Sequence, residues 1–183
     1  MNELIAWLID KTSNEPNAVL KASTIETPVG PMRAVADAHH LYLLEFFERL
    51  ELVPGVERLK SRLKSSISFG TTAPLESISR ELKAYFNGSL DEFFTPIKTF
   101  GTEFQKGVWN ALQDIPRGGT LSYAGLALAI NKPTACRAVA RANSTNQLAI
   151  LIPCHRVINS DGGLGGYAGG VDRKAWLLDH EKN

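Results

Sequence analysis

Cys154, His155 and Arg156 put a thiol, an imidazole and a guanidinium in a row, directly after the apolar run Ile150 Leu151 Ile152 Pro153. A histidine and an arginine beside a cysteine favour the thiolate, which is the nucleophilic form. Without such neighbours a free cysteine is more often a small buried hydrophobe, and that reading stays open for Cys154. The run before it reads as a buried strand ending where Cys154 begins, so the thiol would sit at the tip of a rigid element. Glu181 is a second candidate. It closes the last helical segment, where the helix dipole disfavours a carboxylate unless it has a partner. Between them lies Ile158 to Gly170, with six glycines around Tyr167. Its backbone could approach a flat ligand closely, and a plain surface loop is the alternative.

The charges are unevenly placed. Residues 1–100 carry 11 basic and 13 acidic side chains, and residues 101–183 carry 9 basic and 6 acidic. From Ile115 to Ser160 there is no Asp or Glu, while Arg117, Lys132, Arg137, Arg141 and Arg156 all fall inside. Such a stretch suits a polyanion, or else a solvated face with counter-charges supplied elsewhere in the fold. The two cysteines, Cys136 and Cys154, allow one bridge at most. No apolar stretch is long enough to span a membrane, and the start Met1 Asn2 Glu3 Leu4 lacks the pattern of a signal peptide. The expectation is a cytoplasmic protein with free thiols and no membrane partner.

The elements that must position these groups fall into two parts. A short amphipathic helix is predicted over residues 2–12. Three strands follow, at Ala22 to Glu26, Met32 to Asp37 and Leu41 to Phe47, forming a small antiparallel sheet. Helices are predicted at Val56 to Leu63 and Pro74 to Phe86, with a strand at Ser65 to Phe69 between them. His39 and His40 read as exposed turn residues and no metal ligand set is present. Asp91 to Thr102 has no clear period and reads as a linker. Thr102 is a predicted N-cap for a helix to Asp114. Ser122 caps a helix to Ile130, with Leu126, Ala129 and Ile130 facing inward. Asn131 Lys132 Pro133 turns into a helix over Thr134 to Asn143. The pair at about 122–143 reads as a helix-turn-helix, or as a plain helical hairpin. Val171 to Glu181 is the final helix, with Val171, Trp176, Leu177 and His180 packing inward. The fold class is α/β (α+β): residues 1–95 form a mixed sheet-and-helix domain, with 1–20 as a helical extension. Residues 96–183 form a mainly helical domain.

The second part, from about Thr102 to Glu181, resembles the O6-alkylguanine-DNA alkyltransferases. The likeness rests on an ordered series: Phe104 Gln105 with Val108 Trp109, Ser122 Tyr123, Arg137 Ala138 Val139, Asn146, Ile152 to Val157, Gly166 Tyr167, then Lys174, Leu177 Leu178 and Glu181. Each motif is short; the series is specific.

The resemblance implies stoichiometric, irreversible transfer of the alkyl group from O6-alkylguanine in double-stranded DNA to Cys154, and leaves open whether O4-alkylthymine is a further substrate. The protein would act once, as a monomer, without a cofactor or metal. His155 matches the base that deprotonates the thiol through a water, Glu181 the carboxylate that orients it, and Asn146 the brace of the active-site turn. Arg137 matches the finger that enters the duplex as the base flips out from the minor groove, and Tyr123 the side chain at the target phosphate and guanine. Tyr167 and the Ala168 amide match the loop that closes on the base. Thr134, Ala138, Arg141, Leu148 and Arg156 complete the residues expected against DNA or base. Gln147 and Ala149 stand where proline is common, Ala140 where glycine is, and Ala168 where serine occurs. The rival readings are a lesion sensor that transfers nothing, a thiol hydrolase, and a regulator with a redox-sensing cysteine.

Overall fold

The computed structural model describes residues 19–182, so the helix expected over residues 2–12 lies outside the described residues. The chain divides into two compact units, one of residues 19–84 and 93–98 and the other of residues 85–92 and 99–182. A single cut at 95/96 therefore does not separate them.

In the first unit, β1 (Leu20–Ile25), β2 (Met32–Ala36) and β3 (Leu41–Phe46) pair antiparallel in sequence. A fourth strand, β4 (Ile67–Phe69), lies beside β1 and runs parallel to it, in the order β3-β2-β1-β4. The three expected strands are thus antiparallel as their pattern suggested, and the fourth makes the sheet mixed. The helix α1 (Leu52–Leu63) is the crossover that parallel pairing requires. It starts four residues before the expected Val56. Pro54 lies in its first turn, where the missing N–H has no helical acceptor to lose.

β2 and β3 are buried along their whole length. Arg33 on β2 is 1% exposed, with its guanidinium between the rings of Phe47 (4.8 Å) and Phe69 (4.9 Å), and burial lowers its pKa to about 10. Helix α2 (Ala73–Phe86) buries Leu75, Ile78, Leu82 and Tyr85.

Residues 93–98 of the segment expected as a linker are built into this unit. Leu41 donates to the Pro96 carbonyl (2.8 Å) and accepts from Lys98 N–H (2.9 Å), so residues 96–98 strap the β3 edge. The Glu81 carboxylate accepts from Thr95 N–H (3.2 Å) and Oγ1–H (2.9 Å) and from Phe94 N–H (3.3 Å). Covering an edge in this way blocks further strand pairing.

The second unit opens with α3 (Glu103–Gln113). Thr102 and Gln105 form a reciprocal capping box, with Gln105 N–H on Thr102 Oγ1 (3.2 Å) and Thr102 N–H on Gln105 Oε1 (2.9 Å). Such a cap contributes about 1 kcal/mol. Ser122 Oγ accepts from Gly125 N–H (2.9 Å) and caps α4 (Tyr123–Ala129), and the left-handed Asn131 (φ 56°) turns the chain toward α5 (Cys136–Ser144). Leu126 and Ala127 are the buried residues of α4, whereas Ala129 is exposed, contrary to the expected phase. Trp109 Nε1 donates to the Ala142 carbonyl (2.9 Å), tying α3 to α5.

Two short strands, β5 (Leu121–Ser122) and β6 (Val157–Ile158), pair in parallel and bring the start of α4 beside the end of the cysteine segment. Helix α6 (Val171–His180) buries Lys174, Leu177 and Leu178, with Glu181 as its C-cap. Val171 and Trp176, expected inside, are 45% and 40% exposed. Among the described residues no helix is long and apolar enough to cross a membrane.

Candidate active site

The run before Cys154 is buried as expected but is not a strand. Leu148 to Ile152 forms turns in which Ile150 has φ 73° and Ile152 N–H meets the Leu148 carbonyl at 2.9 Å. A left-handed β-branched residue costs about 1–3 kcal/mol, and full burial of the Ile150 side chain offsets a similar amount. An apolar run reports burial, whereas its backbone path depends on where the carbonyls find donors.

Here the donor is Asn146. Its Nδ2 reaches the Ile152 carbonyl (2.8 Å), the Leu148 carbonyl (3.4 Å) and Cys154 Sγ (3.1 Å), and its Oδ1 accepts from Leu148 N–H (3.0 Å). One buried amide therefore holds both the turn and the sulfur.

Cys154 begins a one-turn 3-10 helix, Cys154–Arg156, and is 6% exposed. Its carbonyl accepts from Asn143 Nδ2 at 3.4 Å. His155 is wholly buried, with Nε2 2.8 Å from Glu181 Oε1, while Nδ1 has no hydrogen-bond partner. An ionised carboxylate only accepts, so the proton belongs on Nε2 and the lone pair on Nδ1. Burial holds the His155 pKa below its ordinary value despite the opposing pull of Glu181, with Arg156 and Lys174 acting in the same direction as burial. Burial works to raise Glu181, but the hydrogen bonds and charges of His155 and Arg156 hold it well below the usual carboxylate range. The resting pair is a neutral imidazole on a carboxylate.

Arg156 was expected beside the thiol and against DNA, and the structure overturns both. It is 6% exposed and turned inward, with Nε on Glu181 Oε2 and Nη2 on Oε1, each at 2.9 Å, and Nη1 on the Ile115 carbonyl. Cys154 and Arg156 stand two positions apart in a 3-10 turn of three residues per turn, so their side chains leave it in different directions and the guanidinium is turned to Glu181. Leu148 is likewise corrected: at 1% exposure its side chain is core, not a surface for base or DNA. Arg117 also leaves the basic set, since it donates to the Leu90 (3.0 Å) and His180 (3.4 Å) carbonyls and covers the Tyr85 ring at 5.5 Å.

Of the basic residues in the acid-free stretch, Lys132, Arg137 and Arg141 are exposed, as are Thr134 and Ala138 near them. Arg137 and Arg141 are one helical step of four apart on α5 and share a face. Cys136 is a half-buried free thiol at the start of that helix.

Tyr123 stands half-buried at the start of α4. Burial and the neighbouring Cys154 raise its pKa, with Asn143 opposing. A Cβ on Gly165 (φ 67°) would lie 3.5 Å from its ring and 2.9 Å from Asn159 Oδ1, so the glycine lets the loop pass this close. Tyr167 is half-buried, its ring edge-on to His155 with centroids 6.5 Å apart, and Ala168 beside it is exposed.

Two further residues carry parts that the sequence did not assign. Lys174 is 0% exposed, and its ammonium donates to the carbonyls of Val157 (2.5 Å), Leu164 and Gly166 (3.5 Å), clipping the glycine-rich loop to β6. Its helical phase with Leu177, Leu178 and Glu181 was the available signal. Tyr85, three residues after the inward Leu82, donates its hydroxyl to Glu181 Oε1 at 2.7 Å. That register predicts burial but not the partner.

Residues 103–183 match the family profile described as 6-O-methylguanine DNA methyltransferase, DNA binding domain. The methylated-DNA–protein-cysteine methyltransferase of Methanosarcina barkeri is 41% identical over 162 residues, covering 87% of this chain and 95% of that protein. Among solved structures, Mycobacterium tuberculosis O6-methylguanine methyltransferase superposes with a TM-score of 0.76 at 39% identity, covering 89% of this chain and 93% of that one. The OGT of the same organism, solved in complex with DNA, gives 0.76 at 39% identity with 89% and 92% covered.

Proposed function

Because the chain belongs to the methylated-DNA–protein-cysteine methyltransferases, a family of DNA-repair enzymes, we propose that Cys154 is the acceptor to which the alkyl group of O6-alkylguanine in DNA is transferred, once per molecule. The observation that carries this is the ordering of polar groups around one buried turn. The sulfur is held by Asn146, the adjacent His155 presents an unpartnered Nδ1, and Glu181 fixes that tautomer from the other side.

The thiol proton passes to His155 Nδ1 through a water. The thiolate then attacks the alkyl carbon in line, so that the S–C bond forms as the O6–C bond breaks and the guanine leaves as an oxyanion. Tyr123, whose raised pKa keeps its hydroxyl protonated at neutral pH, can donate to the leaving guanine, as can the exposed Ala168 amide. The thioether is inert, and the protein is consumed.

The target carbon is inaccessible in a stacked duplex, so the base must be extruded, at a cost of a few kcal/mol that a mispairing lesion lowers. Arg137 suits insertion from the minor groove, with Arg141, Thr134 and Ala138 on or beside the same short helix and Lys132 in the turn before it meeting the backbone. Tyr167 closes the site. O4-alkylthymine presents a similar carbon and is the second substrate of this reading.

The test is intact-protein mass spectrometry after incubation with a duplex holding one O6-methylguanine, with Cys154→Ala as control. One added methyl on Cys154, absent in the variant and not exceeding one per chain, is expected. Binding without mass change would make the protein a sensor, and repeated turnover a hydrolase.

A further inference from the structure

Glu181 Oε1 is a crowded atom. It receives His155 Nε2 at 2.8 Å, Arg156 Nη2 at 2.9 Å and the Tyr85 hydroxyl at 2.7 Å. A carboxylate oxygen offers about two lone-pair sites, so three donors compete for its electron density. The Tyr85 hydroxyl is not a casual participant. Tyr85 is 0% exposed near the end of α2, its ring edge-on to Phe86 (5.1 Å) and His180 (5.3 Å), with the Arg117 guanidinium 5.5 Å from its centroid. Burial and the adjacent carboxylate push its pKa far above the ordinary tyrosine range, so it stays a donor at every working pH.

The charged groups facing the His155–Glu181 pair and Tyr85 are Arg156 of the turn, Arg117 of the segment after α3, and Lys174 of α6, with the titratable thiol of Cys154 next to His155 in the chain and the titratable His180 packed against Tyr85. Arg156 and Lys174 both oppose protonation of His155, and Glu181 favours it. Whatever draws electron density from Glu181 Oε1 therefore lowers the basicity of His155.

We propose that Tyr85 is a positioning residue for alkyl transfer: its hydroxyl, bound to the same Glu181 oxygen as His155, sets the proton affinity of the imidazole that activates Cys154. This rests on Cys154 being the acceptor and His155 its base. Neutral His155 is the working form, so the rate falls on the acid side as His155 protonates. Removing the Tyr85 hydroxyl leaves Glu181 Oε1 a stronger acceptor, raises the proton affinity of His155, and moves that acid limb to higher pH.

The experiment is the rate–pH profile of Tyr85→Phe against wild type with free O6-benzylguanine, which removes DNA binding from the readout. The midpoint of the acid limb is expected to rise by about half a pH unit, whatever the plateau rate. In parallel, the His155 ring resonances are titrated by NMR without substrate, assigned with His155→Gln, and are expected to move by the same amount. If Tyr85→Phe does not fold, 3,5-difluorotyrosine placed at position 85 keeps the ring and donates more strongly, and both midpoints are then expected to fall. Unmoved midpoints with a wild type that alkylates Cys154 would overturn the role of Tyr85 alone. A wild type that leaves Cys154 unmodified would overturn the acceptor reading and this proposal with it.

Discussion

A carboxylate capping the C-terminal end of a helix faces the negative end of the helix dipole. Glu181 outweighs that by drawing donors from three segments: Tyr85 of α2, His155 and Arg156 of the turn, and the Gly118 amide at 3.5 Å. Its bidentate pairing with Arg156 makes it structural as well as functional. Glu181→Gln keeps the shape, removes the charge that balances Arg156, and leaves a buried guanidinium uncompensated, at a cost of about 3–5 kcal/mol. The expected outcome is a lower urea midpoint together with slower alkyl transfer, while DNA affinity of the protein that remains folded is nearly unchanged. A variant of wild-type stability would mean that Arg156 finds another acceptor. The same residue shows a limit of reading a motif as a string. Cys154, His155 and Arg156 are consecutive, yet only the first two serve one centre, and the third holds the carboxylate behind it.

At the scale of elements, α5 is short, and its exposed face offers Arg137 and Arg141, with Lys132 in the preceding turn. Arg117 and Arg156, equally basic in the sequence, are committed to carbonyls and to Glu181 inside the unit. Neutralising Arg137 or Arg141 is therefore expected to reduce the salt dependence of DNA binding, by about 0.9 in log–log slope for each phosphate that is no longer neutralised. Arg117→Gln should leave the slope unaltered. The measurement is a salt titration of duplex affinity by fluorescence anisotropy. Arg137→Ala is further expected to slow repair in duplex DNA far more than reaction with free O6-benzylguanine, and equal losses would mean that Arg137 serves the fold. The elements also show where pattern reading is weakest. Capped helices such as α3 and α4 start where Thr102 and Ser122 predicted, because a cap is a local hydrogen bond. The run Ile150 to Pro153 does not form the strand its apolar pattern suggests, because the Asn146 side chain supplies a donor to its Ile152 carbonyl and to that of Leu148 before it.

For the whole molecule, the buried pair His155 and Glu181 act on stability in the same direction. His155 has a lowered folded pKa, so between that value and the unfolded one of about 6.5 the unfolded chain binds more protons, and stability falls as pH drops through this window. Glu181 is also lowered, so its contribution is complete above the unfolded carboxylate value of about 4.3 and is lost as pH falls below it. Urea unfolding followed between pH 8 and 3 is therefore expected to show a first loss beginning near pH 6.5 and a second below about 4.3. His155→Gln should flatten the first and Glu181→Gln the second.

The sequence by itself determined the chemistry: a cysteine next to a histidine, a glycine-rich loop, a basic acid-free stretch and a terminal carboxylate are local facts of composition and order. It also determined most helices, since periodicity and caps are written within ten or so residues. The tertiary structure alone decided which charges pair. Tyr85 and Glu181 are 96 residues apart in sequence, and His155 and Glu181 are 26 apart. It also decided that Arg156 points inward, that Lys174 clips the loop, and that β4 joins β1 in parallel. The physical reason is that a buried ionic group is tolerable only where donors and acceptors converge from several segments, and that convergence belongs to the packed chain rather than to any stretch of it.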